Sequence, residues 1–212
     1  MRLTFCTAYR EEKKMLGDGK SVVLSFDDGP APVDALESIL QTLREHEIRA
    51  EFYVLGNEVE QYPDAARLIV RQGHAIQNHS WSHSDLAKAP EQDVRWELEE
   101  TQNMIEDTTG EIPTKIRPPY GAGGFSGHLD PDLAEVARDL YLSIVTWDID
   151  TEDWKAPKGL GTEKIRNIER QFTQQRHKAL FNILMHVQAG TARDLPSFIS
   201  QLKAWGFAIA QP

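Results

Sequence analysis

Two carboxylates stand side by side in "SFDDGP", residues 25–30, between an apolar run and a Gly-Pro break. Neighbouring residues of a strand point to opposite faces, so a regular strand would aim either Asp27 or Asp28 away from any common site. Gly29 and Pro30 are expected to take the chain out of strand geometry there, which lets both carboxylates reach one place. A turn accounts for one aspartate before Gly-Pro, but paired ionised carboxylates are costly without a cation. "HSWSH" offers partners for that cation. His79 and His83 are four apart, so on a helical turn both imidazoles would face one side and could share a metal ion. Two histidines with one aspartate form a catalytic type of zinc set, three protein ligands with one position open for water. The second aspartate would then be free to take a proton as general base.

Three further stretches complete such a site. In "RPPYG", Arg117 can pair with a carboxylate and keep it ionised, while the prolines and Gly121 build a rigid turn. A turn of this kind can hold a backbone N–H at a fixed point, as an oxyanion requires. Pro119 has no N–H, so Tyr120 or Gly121 must be the donor. His186 follows the apolar run "LFNILM" and could be a second proton carrier, held charged by Asp150 or Asp153 of "DTEDW". Trp81, Trp147 and Trp154 are a mixture of core and sugar-facing candidates, Trp154 foremost. His74 and His177 precede strands and are expected at the opposite end of the fold. His128 lies in the Gly-rich "GAGGFSGHLD".

The elements needed to position these groups alternate along the chain. Strand-like runs occur at 21–26, 50–56, 74–78, 114–118, 142–147, 179–186 and 207–211. Helical spacing of apolar residues predicts helices over 33–46, 62–73, 91–110, 131–140, 162–177 and 195–205. About seven βα repeats imply a parallel α/β fold, either an open doubly wound sheet or a closed barrel. No Gly-rich phosphate loop opens the first helix, which disfavours the nucleotide-binding open sheet. A barrel gathers functional residues at the C-terminal ends of its strands. "FDDGP", "NHSWSH", "RPPYG", "WDIDTEDW" and "MHVQ" all fall at such ends.

The bulk properties narrow the field. A chain of 212 residues fits one large domain. The formal net charge of −10 argues against nucleic-acid binding, which needs a basic surface. Cys6 is the only cysteine, so neither an intrachain disulfide nor a thiolate metal cluster can form, and a buried or incidental thiol is expected. No apolar run approaches the ~20 residues of a membrane helix. "MRLTFCTAYREEKKM" has no signal-peptide pattern. The compartment expected is cytoplasmic if Met1 is the native start, and secreted or cell-envelope if a leader has been removed.

Taken in order, "SFDDGP", "HSWSH", "RPPYG", "DTEDW" and "ILMH" resemble the motifs of polysaccharide deacetylases with a NodB-homology domain, carbohydrate esterase family 4. The resemblance covers the chain from about Ser21 to its end, as a single catalytic domain over 21–212, with residues 1–20 a segment of no assigned role. It implies a distorted (β/α)7–8 barrel that removes acetyl groups from N-acetylglucosamine units of chitin, chitooligosaccharide or peptidoglycan and releases acetate. Asp27 would be the base, and Asp28, His79 and His83 would hold one divalent metal ion, usually zinc. Arg117 would orient Asp27 and keep it ionised, and the Tyr120 N–H would support the oxyanion. His186 would be the general acid, tuned by Asp150. Trp154, Leu184, Pro118 and Tyr120 would contact the substrate. An O-deacetylase on acetylxylan, a deformylase or amidohydrolase on a small or lipid-linked sugar, and a non-catalytic sugar-binding protein are the alternatives. The chain departs from the family pattern in "VQ" after His186, where many members carry an acid, and in the extended Gly-rich loop after Gly121. Oligomeric state is not legible.

Overall fold

The computed structural model describes residues 15–212; Cys6 and most of the 1–20 segment lie outside them. Eight strands form one sheet in which every pairing is parallel. They are β1 (Ser21–Gly29), β2 (Glu51–Val54), β3 (Ala75–Asn78), β4 (Lys115–Ile116), β5 (Ser143–Ile144), β6 (Ile149–Asp150), β7 (Leu180–His186) and β8 (Ala208–Ile209). The order is β5-β4-β3-β2-β1-β7-β6, with β8 on β1. Although consecutive in the chain, β5 and β6 are the two ends of this path and do not pair, so the barrel is open between them. The helices are α1 (Val33–Glu45), α2 (Gly56–Gln61), α3 (Pro63–Arg71), α4 (Glu91–Thr109), α5 (Pro131–Asp139), α6 (Thr162–Gln174) and α7 (Ala189–Ala204). No helix among the described residues is long and apolar enough to cross a membrane.

Strand alternation sorts the chemistry. Val22, Leu24 and Phe26 of β1, Phe52 and Val54 of β2, and Phe181, Ile183 and Met185 of β7 share one parity and join the main apolar core with the helices. The other parity carries Ser25 and Asp27, Glu51 and Tyr53, and Asn182, Leu184 and His186. Ser25, Asp27 and Glu51 are buried and polar; Ser25 and Glu51 each meet the Asn182 side chain from another strand, and Glu51 also accepts from the Tyr53 hydroxyl on its own strand. The barrel interior is therefore polar and rises to the strands' C-terminal ends. A second apolar cluster joins Ile116 of β4 to α4 and α5.

Several boundaries differ from the sequence expectation. The strand predicted over 114–118 ends at Ile116, because Pro118 and Pro119 cannot donate to a ladder. The predicted 142–147 strand is only Ser143–Ile144, and the chain then crosses the barrel opening to β6. The helix α2 is too short to show periodicity. The last helix starts at Ala189, not Leu195, and contains Pro196; its first turns lack an apolar stripe, and the proline resembles a helix start. Two ends follow simple rules: Gly110 closes α4 at φ 79, and Asp130 caps α5 by accepting from the Leu133 N–H at 3.0 Å.

Candidate active site

The aspartate pair sits at a strand irregularity, but the break falls one residue earlier than Gly29. Asp28 has φ 65 and the pairing of β1 with β2 slips between Phe26 and Gly29. This left-handed step brings the Asp28 carboxylate to His79 and His83, the first of which Asp27 also faces at 3.7 Å. Asp27 keeps the parity of Ser25 and points into the polar interior. There its Oδ1 accepts from Arg117 Nη1 at 2.6 Å, both side chains being almost wholly buried. Arg117 also donates to the Ser25 hydroxyl at 2.9 Å and to Asn182 Oδ1 at 2.8 Å. Its guanidinium carbon lies 4.0 Å from the centre of the Tyr53 ring, a stacking that adds to the hold on a buried cation.

The histidines come from a loop after β3. Residues 79–83 make no helical turn; Ser80 and His83 both have left-handed backbone, φ 69 and 63. The rings nonetheless meet, with centres 5.2 Å apart. His79 Nδ1 is 2.6 Å from the Arg117 carbonyl oxygen. A carbonyl only accepts, so Nδ1 carries the hydrogen and Nε2 presents its lone pair to the cleft. His79 Nε2 lies 3.4 Å and His83 Nε2 3.3 Å from Asp28 Oδ1. Ligands about 2.0–2.1 Å from a tetrahedral ion sit roughly 3.3–3.4 Å apart, so this spacing fits a divalent metal. Asp28 Oδ1 is buried with no hydrogen-bond partner, a cost a cation would remove. Burial raises the Asp28 carboxyl, but positive charge placed at His79 and His83 outweighs it and holds the group far below the usual carboxylate range, as a bound cation would.

His186 ends β7 across the cleft. Its Nδ1 is 2.7 Å from Asp153 Oδ1, and Asp153 Oδ2 accepts from the His186 backbone N–H at 2.8 Å and from the Thr191 hydroxyl. The carboxylate against His186 is thus Asp153 and not Asp150. After β6 the chain doubles back: Thr151 N–H and hydroxyl both donate to the Leu184 carbonyl, which swings Asp153 over β7. Burial alone would lower the His186 imidazole; Asp153, then Asp27 and Asp28, raise it to about 9. Asp150 accepts instead from the Glu152 N–H at 2.8 Å and borders the cleft, its carboxyl raised by burial.

A cleft of about 370 Å³ brings together Asp27, Asp28, His79, His83 and His186 with Tyr120, Trp147, Asp150, Trp154 and Leu184. Tyr120 has φ 61 and stands edge-on to His83 at 4.7 Å. The Gly121 N–H donates to the Pro118 carbonyl at 2.9 Å, so Tyr120 supplies the loop's candidate oxyanion donor. Pro118, expected against the substrate, is not in the cleft wall. Its ring lies where a Cβ on Gly124 would come within 2.6 Å. Trp81 is turned away and pairs edge-on with Trp96 at 5.7 Å. His74 is a structural residue whose Nδ1 accepts from the Ala50 N–H at 3.1 Å; His128 and His177 are exposed. The sequence reading passed over Asn182, an unremarkable strand polar residue whose only signal was its parity with His186.

The structure is thus an open parallel barrel whose cleft holds an Asp28–His79–His83 cluster beside the Asp27–Arg117 and His186–Asp153 pairs. The chain belongs to the polysaccharide deacetylase family, whose model matches residues 14–145. It is 35% identical over 190 residues to the peptidoglycan-N-acetylglucosamine deacetylase PgdA of Listeria monocytogenes, covering 89% of this chain and 37% of that protein's length. A family 4 carbohydrate esterase from Streptomyces lividans, solved with acetate, superposes with a TM-score of 0.75 at 28% identity, covering 91% of both chains. A Bacillus anthracis protein described as a pseudoenzyme of the same family also gives 0.75, at 25% identity over 91% of this chain and 63% of that one.

Proposed function

We propose that residues 21–212 form a metal-dependent N-deacetylase acting on N-acetylglucosamine units of a glycan of the chitin or peptidoglycan kind. Likeness of fold is shared with a protein described as a pseudoenzyme, so the weight rests on the site. The carrying observation is that a charge-paired base candidate and a charge-paired acid candidate, Asp27–Arg117 and His186–Asp153, border one cleft with the Asp28–His79–His83 cluster between them. Asp28, His79 and His83 would hold the ion, with zinc the metal that suits two imidazoles and a carboxylate. When bound, it supplies Lewis acidity that polarises the acetyl carbonyl and eases deprotonation of water.

The chain's own residues perform the remaining steps. Asp27, held in place by its ion pair with Arg117, takes a proton from the attacking water as its oxygen bonds to the acetamide carbon. The Tyr120 N–H donates to the oxygen that gains charge. His186 then gives its proton to the sugar nitrogen as the C–N bond breaks, leaving acetate and a free amine. An amine needs that proton to depart, whereas an ester alkoxide asks less of the acid. The His186–Asp153 pair bordering the cleft therefore suits an amide, which asks more of the acid than acetylxylan does. Trp147 and Trp154 line the cleft as faces on which a sugar ring can lie.

The test is acetate release from chitooligosaccharides, peptidoglycan and acetylxylan by the metal-loaded protein, with Asp27→Asn alongside. Acetate from the amide substrates is expected, with Asp27→Asn losing turnover while retaining metal. Bound metal without acetate from any substrate would overturn the proposal.

A further inference from the structure

The two candidate histidine ligands sit on an irregular loop with two left-handed, non-glycine residues, Ser80 and His83. Such backbone persists only where surrounding contacts impose it. One side chain supplies four of those contacts. Glu97, in the middle of α4 and 6% exposed, accepts from the Trp81 N–H at 2.7 Å and the Ser82 N–H at 2.8 Å through Oε2. Its Oε1 accepts from the hydroxyls of Ser84, at 2.9 Å, and Ser82. A buried carboxylate thus serves the segment between and just after His79 and His83, with no salt bridge to a basic side chain among the described residues.

The other side of the loop is fastened by main-chain groups. Gly56 N–H donates to the Ser80 carbonyl at 3.1 Å and Asn57 N–H to the Trp81 carbonyl at 3.3 Å. A Cβ at Gly56 would approach the Trp81 ring to 2.3 Å, which fits a close seat for the loop against α2. Internal bonds alone do not define the path to His83: Ser80 N–H reaches Asn78 Oδ1 at 2.9 Å, and His83 N–H reaches Ser80 Oγ at 3.1 Å. Without Glu97, the Trp81 and Ser82 N–H groups lose their acceptor and the turn carrying His83 loses its tether to α4.

We propose that Glu97 is the positioning residue of the metal-binding loop: it fixes His83 relative to His79 and Asp28 and so sets metal affinity. This rests on the reading that those three residues hold a divalent ion. The role is geometric. Glutamine can keep its carbonyl oxygen on the two N–H groups and turn its amide hydrogens to the serine hydroxyls, which accept as well as donate.

The experiment is zinc affinity of the full chain by chelator competition, with thermal stability measured on the same metal-free samples. Parent protein should bind one zinc and His83→Ala should lose most of that affinity; if the parent binds none, the metal reading itself fails. Given binding, Glu97→Ala should weaken it by about 10–100-fold, and Glu97→Gln should stay close to the parent. Leu98→Ala, on the same helix but in the apolar cluster, should lose stability while keeping affinity. Should Glu97→Ala fail to fold, the Ser82→Ala, Ser84→Ala pair removes two of the four bonds and should show a smaller loss of affinity in the same direction. Parent-like affinity in Glu97→Ala, or in the serine pair when Glu97→Ala does not fold, overturns the proposal. So does an equal loss of affinity in Leu98→Ala.

Discussion

His74 and His186 are both largely enclosed at ends of barrel strands, and the protein moves them in opposite directions. His74, before β3, has a backbone N–H on Nδ1 and burial as its main influence, and it is pushed down to about 4. His186, at the end of β7, has the Asp153 carboxylate on Nδ1 and is raised to about 9 despite its burial. Enclosure makes an imidazole neutral; an enclosed carboxylate against it makes it an acid held in reserve. The difference separates a histidine that supports the fold from one fit to deliver a proton.

Removing the acid should have the largest effect. His186→Ala should lower the rate on an N-acetyl substrate by roughly 100- to 10,000-fold while zinc content is unchanged. An acetyl ester with a good leaving group should suffer much less, because its departure needs no proton. Equal losses on both substrates would remove His186 from the role of acid. Asp153→Asn comes next and tests the carboxylate alone. If His186 falls back toward its ordinary value of about 6.5, the protonated fraction drops roughly 30-fold at pH 8 and less than about twofold at pH 6. The alkaline limb of the rate profile, at or below about 9 in the parent because a bound cation opposes the aspartates, should move down accordingly. An unmoved limb would mean that another group sets it. Asp150→Asn, aimed at the carboxylate that does not touch His186, should leave the limb nearly in place.

Which residues gather at the candidate site was legible because each stands at a strand end within a short polar motif: Asp27, Asp28, His79, His83, Arg117 and His186. The parallel alternation was equally legible, since apolar strands and amphipathic helices differ in period. Other features depended on paths that no periodicity encodes. Asp150 and Asp153 lie in one turn, and only the fold-back through Thr151 decides which meets His186. Glu97 reads in sequence like any solvent-facing glutamate of a long helix; its role appears only when the loop of His79 and His83 is laid against it. Asp28 was expected to follow from the Gly-Pro break, whereas its own left-handed backbone makes the step. The unpaired gap between β5 and β6 was hidden for a related reason, as strands of two residues leave little signature.

The smallest expected effect reaches the His74–His186 comparison through folding. Measured without metal, so that the neighbouring carboxylates act alone, the two histidines should tilt the stability profile in opposite directions. His186 is raised above the unfolded value, so its contribution is full below about pH 6.5 and is lost as pH climbs through about 9. His74 is lowered, so the unfolded chain binds the extra proton; its contribution is full above about pH 6.5 and is lost as pH falls toward about 4. Allowing for partial solvent contact, the acid-side loss from His74 amounts to about 1–2 kcal/mol. His74→Gln, whose side-chain oxygen can still accept from Ala50, should flatten denaturant midpoints between pH 4 and 6.5, leaving the alkaline side alone. His186→Gln should flatten the side between 6.5 and 9 and spare the acid one. If both substitutions altered the same side, enclosure and carboxylate pairing would not be the opposing forces that distinguish these two histidines.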